Sequence, residues 1–177
     1  MIRRSALRVL LSALVIIVLL APALAGGASK RTSEFRAIRQ LRHTTWHWQS
    51  VMGVAKTPVG NAALRASNAK YRRWVLRLWQ KRATRVRRMA MSVPHKSQWL
   101  CIHRGEGSWS ANTSNGYYGG LQMDISFQRN YGGYLLRAKG TANHWSPSEQ
   151  MWVAERAYKS GRGFYPWPNT ARACGLL

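Results

Sequence analysis

A mainly α fold (α+β) with one short β-hairpin, preceded by a basic helical extension, is what this sequence predicts. Three observations carry the prediction. Apolar residues recur every three or four positions through several long stretches, the pattern of helices buried on one face. A single Asn-Gly dipeptide, Asn115-Gly116, sits in a short polar and aromatic run where a hairpin turn fits. Charge is divided unevenly: 20 of the 28 Lys and Arg precede residue 97, against one acid, Glu34, while the other eight share their half with Glu106, Asp124, Glu149 and Glu155.

The first element is a signal peptide, residues 1–25. Arg3, Arg4 and Arg8 precede an apolar run from Val9 to Leu20, and "APALA" places small residues at Ala23 and Ala25. The run is shorter than the roughly 20 apolar residues that a spanning helix requires. Cleavage after Ala25 is therefore expected rather than an uncleaved anchor, with membrane contact only transient and the protein secreted.

Residues 26–93 read as the basic extension, built from two amphipathic helices. "GGASKRTSEF" reads as a flexible lead, and Ser33 as the cap of a helix carrying Phe35, Ile38, Leu41, Thr45, Trp48 and Met52 on one face. Gly53, Pro58 and Gly60 break it. A second helix, about Ala62 to Met91, places Leu64, Tyr71, Trp74, Val75, Leu78, Trp79, Val86 and Met89 on its buried face. The pairs Arg72-Arg73 and Arg87-Arg88 fall on the other. These stripes suit helix packing better than a cofactor site, and no cofactor is expected. His43 and His47 share a helix face, but no third ligand lies near in sequence, so they read as surface or packing residues and no metal is expected.

Residues 94–177 read as a separate compact domain. Pro94 suits the start of a helix that runs through Trp99, Leu100 and Ile102 to Gly105 or Gly107. The hairpin follows, with Tyr117 and Tyr118 on its return strand. Further helices are expected over residues 126–136 and 147–160, and Ser146 with Glu149 has capping-box spacing. Glu149 and Glu155 read as capping or surface groups, and residues 161–177 as an irregular tail. Cys101 and Cys174 are the only cysteines, and an oxidising compartment favours their disulfide over two separate buried thiols.

The chemistry centres on Glu106. It lies between two glycines at a helix C-terminus, three residues before Trp109. The negative end of the helix dipole and an aromatic wall both disfavour the charged carboxylate. A carboxyl group kept protonated this way is what a general acid requires, and protonation of a glycosidic oxygen is the reaction that uses it. A surface glutamate at a helix end, with His103 as its neighbour, fits the same local sequence. The basic half favours polyanions. For an exported protein these are anionic cell-wall polymers. Nucleic acid is not expected, since export excludes it and no recognition motif is present.

"WSANTSNGYYGGLQMD", residues 109–124, resembles the core of the resuscitation-promoting factors, a transglycosylase-like family with a lysozyme-like fold. Agreement resumes in "VAERAYKSGRGFYPWP", residues 153–168, so the resemblance covers about residues 97–177. It implies a small lysozyme-like domain that cleaves the β-1,4 bonds between N-acetylmuramic acid and N-acetylglucosamine in peptidoglycan. The family glutamate directly follows its cysteine; here Ile102 does, and Glu106 comes five positions after Cys101. Glu106 is still the only acid between Cys101 and the hairpin and inherits the catalytic role. By the same resemblance Trp109 and Tyr117 offer flat faces for sugar rings. Asn112, Thr113, Asn115 and Gln122 offer hydrogen bonds to hydroxyl and N-acetyl groups, and Gly119 and Gly120 permit close approach of substrate. Trp167 reads as structural. Asp124 is the possible second carboxylate. The shortage of acids favours assistance by the substrate's own N-acetyl group. A wall-binding protein without catalysis is the alternative.

Overall fold

The protein is described by a computed structural model that covers the backbone of residues 5–60 and 68–177 and side chains from residue 29 onward. The signal peptide and its cleavage point lie outside the residues described at side-chain level, as does the expected start of the second helix near Ala62. Among the described residues the fold is mainly α with one two-stranded antiparallel sheet. The chain divides into two compact units, residues 1–42 with 59–80 and residues 43–58 with 81–177.

Two helices serve both units. Helix α1 spans Ser5–Met52 and helix α2 spans Ala69–Met91. The expected flexible lead is instead part of α1, and Ser33 does not cap it. Its hydroxyl donates to the Lys30 carbonyl one turn back (2.8 Å), an arrangement that a continuous helix tolerates. At the start of α2 the Asn68 side chain accepts from the Lys70 and Tyr71 amides (2.8 and 3.2 Å), satisfying donors that a helix N-terminus leaves open.

In the first unit Ile38, Val75 and Trp79 form a small core, flanked by Leu41, Val59 and Leu76. The expected faces of α2 are partly reversed. Tyr71 and Trp74 are exposed and stack on each other at 5.6 Å, while Arg72 is buried. Burial of Arg72 is tolerated because the one acid of the basic half, Glu34, meets its guanidinium at 3.0 Å.

The second unit holds the larger core. By packing it exceeds the 94–177 segment, because Val51 and Met52 of α1, Val86 and Ala90 of α2, and Val93 are buried in its cluster. Met89, expected inside, is exposed. The end of α1 is held there by chemistry as well as by apolar contact. Arg156 donates to the carbonyls of Ser50 (2.7 Å) and Val51 in the last turn of that helix, and to that of Tyr131. Burial lowers the pKa of this guanidinium.

Helix α3 spans Lys96–Glu106, preceded by a turn at Pro94 and His95, and buries Trp99 and Ile102. Strand β1, Tyr117–Tyr118, pairs with β2, Met123–Asp124, and Tyr118 also bridges back to Asn112. Tyr117 and Tyr118 are thus the outgoing strand of the ladder, and the strand expected before Asn115-Gly116 shrinks to a single bridge. Helix α4 spans Ile125–Lys139, a 3-10 turn spans Ala142–His144, and α5 spans Pro147–Ala157. The Ser146–Glu149 capping box is present. A π turn, Tyr158–Arg162, precedes a short helix α6, Pro168–Ala173, inside the segment expected to be irregular.

Glu149 and Glu155 are not surface groups; each is 1% exposed. Such burial requires partners. Glu155 accepts from Trp99 Nε1 and His95 Nδ1, both at 3.1 Å. Glu149 takes Lys139 Nζ (2.7 and 2.8 Å) and His47 Nε2 (2.8 Å), so His47 works inside a packed network.

Candidate active site

Glu106 is the last residue of α3, half-buried, and its placement depends on α6. Two links join these helices. Cys101 and Cys174 form the disulfide, with Cα atoms 6.1 Å apart. The Thr170 hydroxyl reaches Glu106 Oε1 at 2.6 Å. Gly105 makes the approach possible, since a Cβ there would lie 2.6 Å from Thr170 Cγ2. A glutamate five residues after the cysteine is therefore still fixed, because α6 is tied to α3 at both points.

Thr170 Oγ1 also lies 3.4 Å from the Trp167 carbonyl. Its proton can serve Glu106 when that group is a carboxylate. When Glu106 is a carboxylic acid, the acid proton can point to Thr170 while Thr170 turns to Trp167. One hydroxyl thus accommodates both protonation states, as a group that acts first as acid and then as base requires. Oε2 of Glu106 has no protein partner among the described residues.

A cavity of about 340 Å3 opens beside this carboxyl group, lined by Glu106, Asn115, Tyr117, Gln122 and the segment 166–169. Its lining is mostly polar, with Tyr117 and Trp167 as the aromatic surfaces. Tyr117 is 47% exposed and available to a ligand, whereas Trp167 is 4% exposed and anchored by its Nε1–H to the Leu121 carbonyl (2.6 Å). Asn115 Oδ1 accepts from the Tyr117 amide (3.0 Å), and Gln122, at φ 44°, donates through Nε2 to the Gly119 carbonyl (2.8 Å). Local turns thus hold the two amide side chains in place.

Four of the residues singled out from sequence, Glu106, Asn115, Tyr117 and Gln122, meet in this cavity. Trp109, Asn112 and Thr113 do not line it. The Trp109 ring lies parallel to His103, 3.8 Å between centroids and 18° between planes, and rests on Gly120. Asn112 and Thr113 are exposed beside the bridge to Tyr118. Gly119 and Gly120 are buried, and their close approach is to protein: a Cβ on Gly119 would collide with the Gln150 amide, and one on Gly120 with Trp109. Gln150, fully buried, fastens the loop by accepting from the Gly120 amide (2.8 Å) and donating to the Trp109 carbonyl (2.8 Å).

Asp124 lines an adjoining cavity of about 160 Å3 that shares Tyr117, Gln122, Pro166 and Trp167 with the first. Its Oδ1 caps α4, accepting from the Phe127 amide and the Ser126 hydroxyl, each at 2.7 Å. The Phe127 amide, then the Ser126 hydroxyl, lower its pKa from the usual carboxylate value. No group of three or more His, Cys, Asp or Glu that could hold a metal converges among the described residues. Sequence reasoning missed Thr170, Asn169 and the Pro166–Trp167–Pro168 wall. The available signals were the resemblance over residues 153–168, which reaches the Pro166–Trp167–Pro168 segment, and Pro168 as a suitable first residue for a helix.

The transglycosylase-like domain family matches residues 93–170, which include Glu106 and Thr170. Resuscitation-promoting factor RpfE of Mycobacterium tuberculosis is 39% identical over 82 residues, covering 45% of this chain and 44% of that protein. Resuscitation-promoting factor Rpf1 of Corynebacterium glutamicum is 39% identical over 70 residues, 40% of this chain and 35% of its own length. Resuscitation-promoting factor RpfB of Mycolicibacterium smegmatis is 32% identical over 130 residues, 72% of this chain and 33% of its own. The chain therefore spans less than half the length of these relatives. No solved structure matches it.

Proposed function

We propose that the protein, whose residues 93–170 match the transglycosylase-like domain family, is an exported peptidoglycan-cleaving enzyme with Glu106 as its general acid and base. The observation that carries this reading is one carboxyl group, held by the Thr170 hydroxyl, at the edge of a polar, tyrosine-walled cavity.

In the proposed reaction Glu106 gives its proton to the oxygen of the β-1,4 bond between N-acetylmuramic acid and N-acetylglucosamine as the C1–O bond breaks. The acetamido oxygen of the same sugar closes on C1, forming an oxazolinium ion. Glu106, now a carboxylate, then removes a proton from the incoming nucleophile. Attack by the muramic 6-hydroxyl leaves a 1,6-anhydro end, and attack by water leaves a reducing end. The capping bonds of Asp124 favour this substrate-assisted route over a protein nucleophile, since its Oδ1 already accepts two hydrogen bonds.

Tyr117 would pack against a pyranose ring, with Asn115 and Gln122 bonding its substituents. Trp109, Asn112 and Thr113 would contact glycan only beyond the cavity. The basic helices would hold the secreted protein to anionic cell-wall polymers, a field that the 17 cations of residues 26–96 against one acid supply. A digest of purified peptidoglycan, read by mass spectrometry, tests the reading. The wild type should release anhydro or reducing fragments, and Glu106→Gln should lower the rate by at least about 100-fold. Undiminished cleavage by Glu106→Gln removes the catalytic assignment. Glycan binding without any product from the wild type makes the protein a wall binder.

A further inference from the structure

The groove that holds Glu106 does not end at the first cavity. The adjoining lobe continues past Tyr117, Gln122, Pro166 and Trp167 to Asp124, Asn130 and Arg162. Across both lobes Arg162 is the only cation among the lining residues, set against two carboxyl groups, Glu106 and Asp124. It is exposed and has no carboxylate within 4 Å among the described residues, although its charge acts on the nearby Asp124 and its side chain reaches the Tyr131 hydroxyl.

The backbone places Arg162 there by an unusual route. It ends the π turn Tyr158–Arg162, between Gly161 at φ 94° and Gly163 at φ 54°. The turn is pinned by Ser160, whose hydroxyl lies 2.7 Å from the Ala157 carbonyl and 3.3 Å from the Tyr131 hydroxyl. A π turn redirects side chains relative to the helix before it, and such turns are frequent at functional sites. A groove meant for neutral sugars needs no guanidinium. The glycan proposed above is not neutral, because a muramic acid carries a free lactyl carboxylate where no peptide is attached and the carboxylates of its stem where one is. A groove lined by two acids would repel it unless a cation compensated.

We propose that the Arg162 lobe is a carboxylate-binding subsite, in which the guanidinium takes a carboxylate borne by a muramic acid residue away from the bond being cut. The planar fork of guanidinium donors matches a carboxylate in a way that a neutral side chain does not. The inference rests on the glycan reading of the Glu106 cavity. Two sources supply the same chemistry: the lactyl carboxylate itself, where no peptide is attached, and the carboxylates of an attached peptide stem.

Calorimetric binding tests the subsite without requiring turnover. The full chain carrying Glu106→Gln is titrated with three soluble glycan preparations. One bears peptide stems, one has had its stems removed by an amidase, and one is stem-free with its lactyl carboxyls converted to amides. The acid forms should bind at least about tenfold more tightly than the amide form, as expected for a charge-assisted bond. Adding Arg162→Ala should bring that ratio close to one, and Arg162→Lys should restore part of it. A preference confined to the stem-bearing glycan identifies the stem as the source, one confined to the stem-free acid identifies the lactyl group, and one shown by both means that the subsite takes either carboxylate. An unchanged ratio in Arg162→Ala overturns the proposal, as does the absence of binding to all three glycans. Preserved Arg162-dependent binding, with no product from the wild-type protein on any of them, would overturn the enzyme reading and leave the subsite standing.

Discussion

Replacing Glu149 by Gln tests how the fold keeps a charge in its core. Glu149 is 1% exposed, and both oxygens are fully engaged. Lys139 Nζ lies 2.7 and 2.8 Å from them, His47 Nε2 lies 2.8 Å from Oε1, and the Ser146 amide lies 2.7 Å from Oε2. Burial pushes the carboxyl pKa up, but the His47, Lys139 and Ser146 bonds outweigh it and hold the group at about 2, against an ordinary 4.5. One pKa unit is worth about 1.4 kcal/mol, so the ionised form contributes on the order of 3 kcal/mol. That figure is an upper bound, since the Lys139 side chain is 36% exposed and screened by solvent.

The folded pKa lies below the unfolded one. This stability is therefore complete above about pH 4.5 and is lost as pH falls from there towards about 2. Urea unfolding followed by tryptophan fluorescence, at several pH values between 7 and 2, measures it. Glu149→Gln should be less stable than the wild type by about 2–3 kcal/mol at pH 7, and the gap should close near pH 2. A gap of the same size at both ends would refute the electrostatic account and leave lost packing as the cause.

Three further outcomes follow from the contacts between α3 and α6. Thr170→Val keeps the volume of the side chain but removes the hydroxyl on Glu106, so peptidoglycan cleavage should fall about tenfold with the melting temperature nearly unchanged. Gly105→Ala should cause a similar loss by pushing its methyl into Thr170 Cγ2, and Thr170→Ser, which lacks that methyl, should recover activity in the double variant. Replacing Cys101 and Cys174 by Ser opens a link spanning 73 residues and should cost about 4 kcal/mol in urea unfolding; no measurable loss would show that packing alone holds α6.

Short-range rules made much of this molecule readable. The capping box needs only Ser146 and Glu149, and the buried face of α3 only the spacing of Trp99 and Ile102. Each signal acts within one turn of chain. The same locality explains the misreadings. The hydrophobicity of Tyr71 and Trp74 suggested burial, but whether an aromatic on a helix is covered depends on what packs there, and here they cover only each other. Glu149 and Glu155 read as capping or surface groups, and although Glu149 does cap its helix, nothing adjacent in sequence shows that His47 and His95 will arrive beside these acids and bury them.

By itself, then, the sequence determined a mainly helical chain with a basic first half, a hairpin, a cysteine pair and one acid set apart between glycines, because periodicity, capping and turn chemistry are properties of neighbouring residues. Tertiary structure alone decided that Glu106 is met by Thr170 from 64 residues away, that Trp167 rather than Trp109 walls its cavity, and that Arg162 lines the adjoining one. Those contacts arise where helices dock. Docking is set by the shape of the whole core, and no local pattern records it.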